Sequence, residues 1–328
     1  MNIICLTPVK NEEWILERFL LCASLWADYI IVADQNSTDS SREIAESFDK
    51  VIVVENNSAN FNEPERQKIL INAARKIPGP NILIALDADE FLSSNYIDSI
   101  EWKQIQSLEA GSRIYFEFIN IHSSYREYWT KGHHYFGFID DGSPHVGFEI
   151  DSPRLPDTNY STIFKSSDIK VLHFQYTDPF RVKYKQIWYQ CLEKTLSDTT
   201  YLGGRKTNFY IFQRYNKYKF PSQEFRSLQS NWTERYFEQG IMLFLVKNNS
   251  IPFLGYIQKL FDKYGVDFFK KLDIWEESWN ELFESRIYQD PRNYSTKLIH
   301  HWLNNRKYLQ FTSIELFIIK LLEILKLF

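Results

Sequence analysis

Along the N-terminal part of the chain, short apolar runs alternate with longer stretches in which polar and apolar positions are mixed. Asn2–Leu6, Tyr29–Ala33, Val51–Glu55 and Ile82–Leu86 are the apolar runs. Runs of that length without polar alternation predict strands covered on both faces, as in a parallel sheet. The stretches between them have helical spacing. Trp14–Trp26 places Ile15, Phe19, Cys22, Ala23 and Trp26 on one stripe, and Ser40–Phe48 and Glu65–Lys76 follow as shorter helices. Pro78-Gly79-Pro80 is a hard stop after the third helix. A β-α-β-α-β-α-β order predicts a mainly parallel α/β sheet with right-handed crossovers and flanking helices.

Further along the pattern changes. Arg113–Asn120 and Ile169–Phe174 read as strands, whereas His122–Pro156 is rich in aromatic residues, His, Gly and Asp and has little periodicity. Such a segment predicts a long substrate loop or an irregular antiparallel section. Phe180–Leu196 reads as a basic amphipathic helix carrying Arg181, Lys183 and Lys185. Helical patterns over 231–247, 252–272 and 275–288 then take over. The expected organisation is an α/β domain over 1–198 and a mostly helical region over 199–328 that serves the acceptor side, packing or association. In 313–328, Glu315, Lys320, Glu323 and Lys326 fall on one side of a helical wheel, and the rest is almost wholly apolar. That segment is too short and charged to span a bilayer. It is expected to dock on the protein body, to lie in a membrane interface as a peripheral contact, or to support dimerisation.

The polar positions that matter lie at strand ends. The second strand runs into Asp34-Gln35-Asn36-Ser37-Thr38-Asp39 and the fourth into Asp87-Ala88-Asp89-Glu90. Acids there sit on the carboxyl edge of the sheet, where open α/β folds bind ligands. Three unpaired carboxylates so close together repel, and a divalent cation, manganese or magnesium, relieves that while a diphosphate completes its shell. The alternative is a strand end followed by a helix N-cap.

Composition narrows the choice. A net charge of −4 over 328 residues gives no reason to expect a nucleic-acid partner. With 11 glycines and neither a Walker loop nor Gly-x-Gly-x-x-Gly, a glycine-rich phosphate cradle is excluded. The aromatic content of 17% suits a carbohydrate-handling surface as well as a large core. Cys5, Cys22 and Cys191 have no motif spacing and predict buried, reduced thiols in a cytoplasmic protein. The chain enters a strand at once, so no signal peptide is expected.

The order Thr7-Pro8-Val9-Lys10-Asn11-Glu12, then Asp34-x-Asn36-Ser37-x-Asp39, then Asp87-x-Asp89-Glu90 resembles family 2 glycosyltransferases of the GT-A (Rossmann-like) fold over roughly residues 1–120. The subgroup reading Asp-Ala-Asp-Glu-Phe with a later Leu-His-Phe strand resembles this chain most, and many of its members assemble lipopolysaccharide, capsule or other surface glycans. The resemblance implies a metal-dependent, inverting transfer from a nucleotide-diphosphate sugar, UDP-sugar favoured, to a glycan or glycolipid hydroxyl. It places donor and cofactor against Thr7, Pro8, Asn11, Glu12, Asp34, Ser37, Asp39 and Asp87. Metal contacts would come from Asp89, Asp87 and His173, and the enzyme would work in the cytoplasm, with or without contact to the inner face of the membrane. Asn36 replaces the usual glycine of the second motif, and Asn also tolerates a positive-φ turn.

The departing diphosphate needs positive charge, for which Arg66, Arg181 and Lys185 are candidates beside the cation. The acceptor hydroxyl needs a base. Glu149 is the first choice, because Phe148 and Ile150 flank it, with Asp151 and Asp141 next and Asp140 and His145 nearby. Arg154, between Pro153 and Pro156, is an acceptor contact or an ordinary loop Arg. The rival classes are a nucleotidyltransferase and a non-catalytic nucleotide-binding scaffold. The first calls for a glycine in the Thr7–Glu13 loop, and the second has little need of three clustered acids.

Overall fold

The computed structural model describes residues 1–58, 62–147, 152–156, 162–196, 225–244, 253–275, 279–283, 288–304, 313–314, 317–318 and 321. Its elements are β1 (Asn2–Val9), α1 (Leu16–Ser24), β2 (Tyr29–Asp34), α2 (Ser41–Glu46), β3 (Val51–Glu55), α3 (Glu63–Ala74), β4 (Asn81–Ala85), β5 (Glu90–Leu92), α4 (Ile100–Ile105), β6 (Arg113–Ile121), β7 (Glu127–Ile139), β8 (Ile163–His173), α5 (Pro179–Leu196), β9 (Arg226–Ser227), α6 (Glu234–Glu238), α7 (Leu254–Tyr264), α8 (Trp279–Leu282) and α9 (Tyr294–Asn304). The chain forms two compact units, Met1–Thr177 with Phe225–Val246, and Asp178–Glu224 with Lys247–Phe328. It leaves the first unit at Thr177 and re-enters it at Phe225, whereas the sequence reading puts one boundary at 198. The return has a physical cause: Trp232, Tyr236, Ile241 and Leu243 are buried in the core of the first unit.

The sheet of the first unit runs β3-β2-β1-β4-β7-β6-β8-β5, with β9 added on β7. Strands β3, β2, β1 and β4 are parallel, as the apolar runs predict, and carry the Rossmann-like half of a GT-A fold. Both faces of that half are covered. Ile3, Cys5, Ile30, Val32, Ile82 and Ile84 pack on one side with Leu16 and Phe19 of α1. Ile4, Leu6, Ile31 and Leu83 pack on the other with Leu70, Ile71 and Ala74 of α3. Helix α3 is capped by Asn62, whose side chain accepts from the Glu65 N–H at 3.0 Å. Beyond it the chain turns through Gly79 at φ 108°, a conformation open to glycine.

Strands β1, β2 and β3 step outward in one direction and β4 lies on the other side of β1. The carboxyl edge between β1 and β4 is therefore the switch point of the sheet, the crevice where open α/β folds bind ligands.

The antiparallel half contains what the sequence pattern hides. Residues 127–139 lie within the stretch without periodicity, yet they form a strand paired with both β4 and β6. Register shifts between Ile114 and Tyr115 and between Glu117 and Ile119 break the alternation of β6 against β7. A bulge displaces every later side chain to the other face, so period-2 reading fails there. The acids of the fourth strand end do not open a helix. Glu90-Phe91-Leu92 is itself a strand, antiparallel to β8 with Glu90 opposite His173.

In the second unit, Tyr184, Ile187 and Cys191 of α5 pack with Ile257 and Phe261 of α7, and with Phe269, Trp275, Trp279 and Phe283. The helices here are shorter than their patterns predict. Helix α7 ends where Gly265 takes φ 77°, a common helix stop. Of 313–328, residues 313, 314, 317, 318 and 321 are helical and exposed, and the charged positions lie outside the described residues. No described helix is long and apolar enough to cross a membrane.

Candidate active site at the carboxyl edge of the sheet

Two loops meet at the carboxyl edge, one after β1 and one after β2. The Asn11 N–H donates to Ser37 Oγ at 3.0 Å, and Asn11 Oδ1 accepts from the Thr38 N–H at 2.8 Å. The Glu12 N–H donates to Ser41 Oγ, and Asp39 accepts from the Glu13 and Ser41 N–H groups. Asn11 and Asn36 take φ of 57° and 51°. Asn36 thus supplies the positive-φ turn in place of glycine. The sequence-nominated Asn11, Ser37 and Asp39 all lie in these two loops, Asn11 bonded to Ser37 and Asp39 to Glu13 and Ser41. They set the shape of the crevice.

Asp34 ends β2 and is buried. Its Oδ1 accepts from the Ser37 N–H at 3.2 Å, and its Oδ2 lies 3.9 Å from Arg42. Thr7 is fully buried, and its Oγ1 has no hydrogen-bond partner among the described residues. Pro8 is half-buried beside it, and Glu12 accepts from Trp14 Nε1 at 2.5 Å.

The acidic strand end departs from its expected form. Its carboxylates are not unpaired. Arg154 reaches in from the 152–156 segment, donating to both oxygens of Glu90 and, at 3.1 Å, to Asp87 Oδ2. It also donates to the Ala85 carbonyl at 3.2 Å. Arg66 stands 4.0 Å from the other Asp87 oxygen and 3.7 Å from Glu63. Asp87, expected among the metal contacts, therefore turns both oxygens toward guanidinium groups. Burial pushes the Glu90 carboxyl above its ordinary range, although Arg154 works against that. Burial opposes the charge of Arg154, yet Asp87 and Glu90 hold its guanidinium above the ordinary range. Three carboxylates face two guanidinium groups, so negative charge is in excess on the Asp89 side.

Asp89 and His173 face each other, with Asp89 Oδ2 3.6 Å from His173 Nε2. Both are buried. The His173 ring stacks on Phe118 with centroids 4.8 Å apart. Its Nδ1 is 2.9 Å from Oδ1 of the fully buried Asn120, its neighbour in register on β6. An amide oxygen accepts, so Nδ1 carries a proton, and Nε2 is the ring nitrogen turned to Asp89. A hard carboxylate oxygen and an imidazole nitrogen suit a divalent cation, and a hydrogen bond from the far ring nitrogen, here to Asn120, is the usual support for such a ligand. Among the described residues no group of three or more His, Cys, Asp or Glu side chains converges to hold a metal. The remaining positions of a bound ion would come from diphosphate and water, the ordinary arrangement for magnesium-like ions.

Asp141, nominated as a base, does not reach this edge. Ile139 of β7 pairs antiparallel with Ile82, so the chain after β7 emerges at the amino edge of β4. Asp141 follows there, exposed, with its carboxylate accepting from the Ser143 N–H. It is separated from Asp89 by the length of β4, five residues or about 17 Å. Asp140 is held by Arg75 at 2.7 Å, and His145 lies 2.6 Å from the Pro153 carbonyl. Lys185 and Arg181 lie on α5 in the second unit, and Arg181 stands over the Phe253 ring. Glu149 and Asp151 lie outside the described residues.

Residues 5–145 match the family described as Glycosyl transferase family 2. No curated protein matches the chain. Among solved structures, glucosyl-3-phosphoglycerate synthase from Mycobacterium tuberculosis, in complex with Mn2+, uridine diphosphate and phosphoglyceric acid, is similar at 19% identity and TM-score 0.28 over 36% of this chain and 43% of that chain. The S. aureus TarS fragment 1-349 is similar at 11% identity and TM-score 0.38, over 83% and 80% of the two chains. A 4-diphosphocytidyl-2C-methyl-D-erythritol synthase is similar at 14% identity and TM-score 0.28, over 42% and 72%. This chain spans less than half the length of the mycobacterial synthase.

Proposed function

We propose that the chain is a glycosyltransferase that moves a sugar from a nucleotide-diphosphate sugar to a hydroxyl acceptor. The observation that carries the reading is the Asp89–His173 pair at the switch point of the sheet, within or adjoining the stretch that matches Glycosyl transferase family 2. The same proposal takes a UDP-sugar as donor, manganese or magnesium as the ion, inversion at the transferred carbon, and a glycan or glycolipid of surface-glycan synthesis as acceptor.

Each part of the crevice has a task in such a reaction. The stitched loops at Asn11, Ser37 and Asp39 form a rigid floor for the nucleoside, and Asp34 Oδ2 is offered to its base or ribose. Asp89 and His173 Nε2 would hold the cation. When bound, the ion supplies Lewis-acid neutralisation of charge developing on the departing diphosphate. Arg154 fixes Asp87 and Glu90, so that the strand end keeps its shape whether or not a ligand is present. Arg66, on the open side of Asp87, is placed to neutralise diphosphate oxygens.

The direct test is release of free nucleoside diphosphate from a panel of sugar nucleotides in the presence of manganese. Absence of release from every donor, with no thermal shift by any of them, overturns the reading. Two variants probe separate parts of the site. Asp34→Ala is expected to weaken UDP binding about tenfold or more, the worth of a charge-assisted hydrogen bond of about 1.5–3 kcal/mol. Unchanged affinity by calorimetry removes Asp34 from the nucleoside contacts. Asn120→Leu releases His173 Nδ1 and is expected to lower manganese affinity about 10–100-fold. Manganese titration followed by electron paramagnetic resonance measures this without turnover. Wild-type affinity in that variant would show that His173 needs no orientation by Asn120.

A further inference from the structure

Next to Arg154 the first unit has an open pocket of about 560 Å³, lined among others by Phe118, His134, Tyr135, Phe136 and Arg154. Its placement follows from the contacts already described. Arg154 shows its guanidinium to Asp87 and Glu90 and stands 5.1 Å from the Phe136 ring centroid. The cavity thus begins where the acidic strand end stops. Phe118 joins the two regions. One contact of its ring is the stack on His173, and another is an edge-on contact with His134 at 5.6 Å between centroids and 75° between planes. His134 therefore lies one aromatic ring away from the side chain that faces Asp89. The two centroid distances put the rings of His134 and His173 at most about 10 Å apart.

We propose that this cavity is the acceptor pocket and that His134 is the base that takes the acceptor proton. The inference rests on the glycosyltransferase reading and adds to it the site and the base. In the step, the acceptor O–H proton passes to an imidazole nitrogen of His134 as the acceptor oxygen bonds to the anomeric carbon. The bond from that carbon to the diphosphate oxygen breaks, and its electron pair leaves on the nucleoside diphosphate. The imidazolium then returns its proton to water.

Chemistry and surroundings agree with this role. Among the described residues that line the cavity there is no carboxylate, and His134 is the side chain with a proton-accepting lone pair near neutral pH. Part of its side chain is open to solvent, so it can exchange its proton with water. Lys131 on its own strand and Arg154 from the 152–156 segment put positive charge near it. Partial burial and these charges hold its imidazole below the ordinary range, so the base form is present at neutral pH. Phe118, Tyr135 and Phe136 give the pocket apolar walls of the kind on which the faces of sugar rings pack.

The experiment uses the full chain with manganese and whichever of UDP-glucose, UDP-galactose and UDP-N-acetylglucosamine it turns over, water serving as acceptor. His134→Ala is expected to lower kcat about 10²–10⁴-fold, with the affinities for UDP and manganese unchanged. The acid limb of its pH–rate profile should disappear, and added imidazole should restore part of the rate. A merely structural histidine gives neither of the last two results. Wild-type kcat in His134→Ala overturns the assignment. So does loss of the acid limb in Glu149→Gln or Asp151→Asn while His134→Ala retains it. In either case wild-type turnover leaves the glycosyltransferase reading standing. A wild-type chain that binds neither UDP nor manganese overturns both.

Discussion

Arg154→Ala is expected to destabilise the first unit by about 3–5 kcal/mol, the usual cost of removing one partner of a buried ion pair. Glu90 is 2% exposed at its side chain and receives two hydrogen bonds from Arg154. Truncating the arginine leaves that carboxylate in the sheet with Asp87 beside it and no guanidinium opposite. The 23% exposure of the Arg154 side chain puts the expected loss toward the lower end. Chemical denaturation at neutral pH measures it. Adding Glu90→Gln to the variant should recover part of the loss, because the uncompensated charge goes with it, and the double-mutant cycle gives the coupling directly.

The pH dependence of this loss has a definite sign. Burial raises the Glu90 carboxyl in the folded chain, so in the window above the ordinary carboxylate value the folded state binds more protons than the unfolded one. Stability from this group therefore increases as pH falls through the window and decreases as pH rises. Without Arg154 the carboxyl is raised further and the window widens. The deficit of Arg154→Ala should accordingly be largest at neutral pH and shrink on acidification. A deficit below about 1 kcal/mol at neutral pH, the range of an exposed pair, would show that the Arg154–Glu90 contact is solvated.

Arg154 also shows where sequence reading stops. The parallel half of the sheet was legible, because strands covered on both faces must be apolar along their whole length. The positions of Asp34 and Asp89 at or just beyond the ends of such runs were legible in the same way. The partner of the acids was not, since Arg154 lies 64 residues beyond Glu90 and no local pattern joins them. A loop arginine between two prolines carries no periodic signal. Asn120 was hidden for the same reason, 53 residues from His173 and joined to it only by the parallel register of β6 and β8. The extra residues that β7 carries at its two register shifts against β6 concealed that strand, and with it the fact that Asp141 emerges at the far edge of the sheet while His134 faces the cavity. Gly265, by contrast, marks a helix end that helical spacing alone runs past.

Asp89→Asn is expected to reduce nucleoside diphosphate release by at least about 100-fold, as removal of one electrostatic contact to a developing charge commonly does, while leaving the fold as stable as before or more so. The two expectations come from the same geometry. Asp89 is 7% exposed, and its carboxylate faces His173. The backbone carbonyl of Asp89 accepts from the Phe174 N–H at 2.8 Å, a bond that asparagine keeps. What changes is charge. The cluster loses one of three carboxylates that face two guanidinium groups, so repulsion with Asp87 and Glu90 falls. An acid kept for the fold behaves in the opposite way, because its removal lowers stability and leaves turnover intact. An acid kept for a ligand is held against its neighbours at a cost to stability, and its neutralisation restores stability while ending function. Manganese affinity should fall in parallel with turnover, whereas UDP affinity in the absence of metal should not change. Three measurements on one variant therefore separate the cases: denaturation midpoint, manganese titration and nucleoside diphosphate release. Turnover near the wild-type rate in Asp89→Asn would remove Asp89 from the metal contacts, while the release itself would keep the glycosyltransferase reading and move its metal site elsewhere.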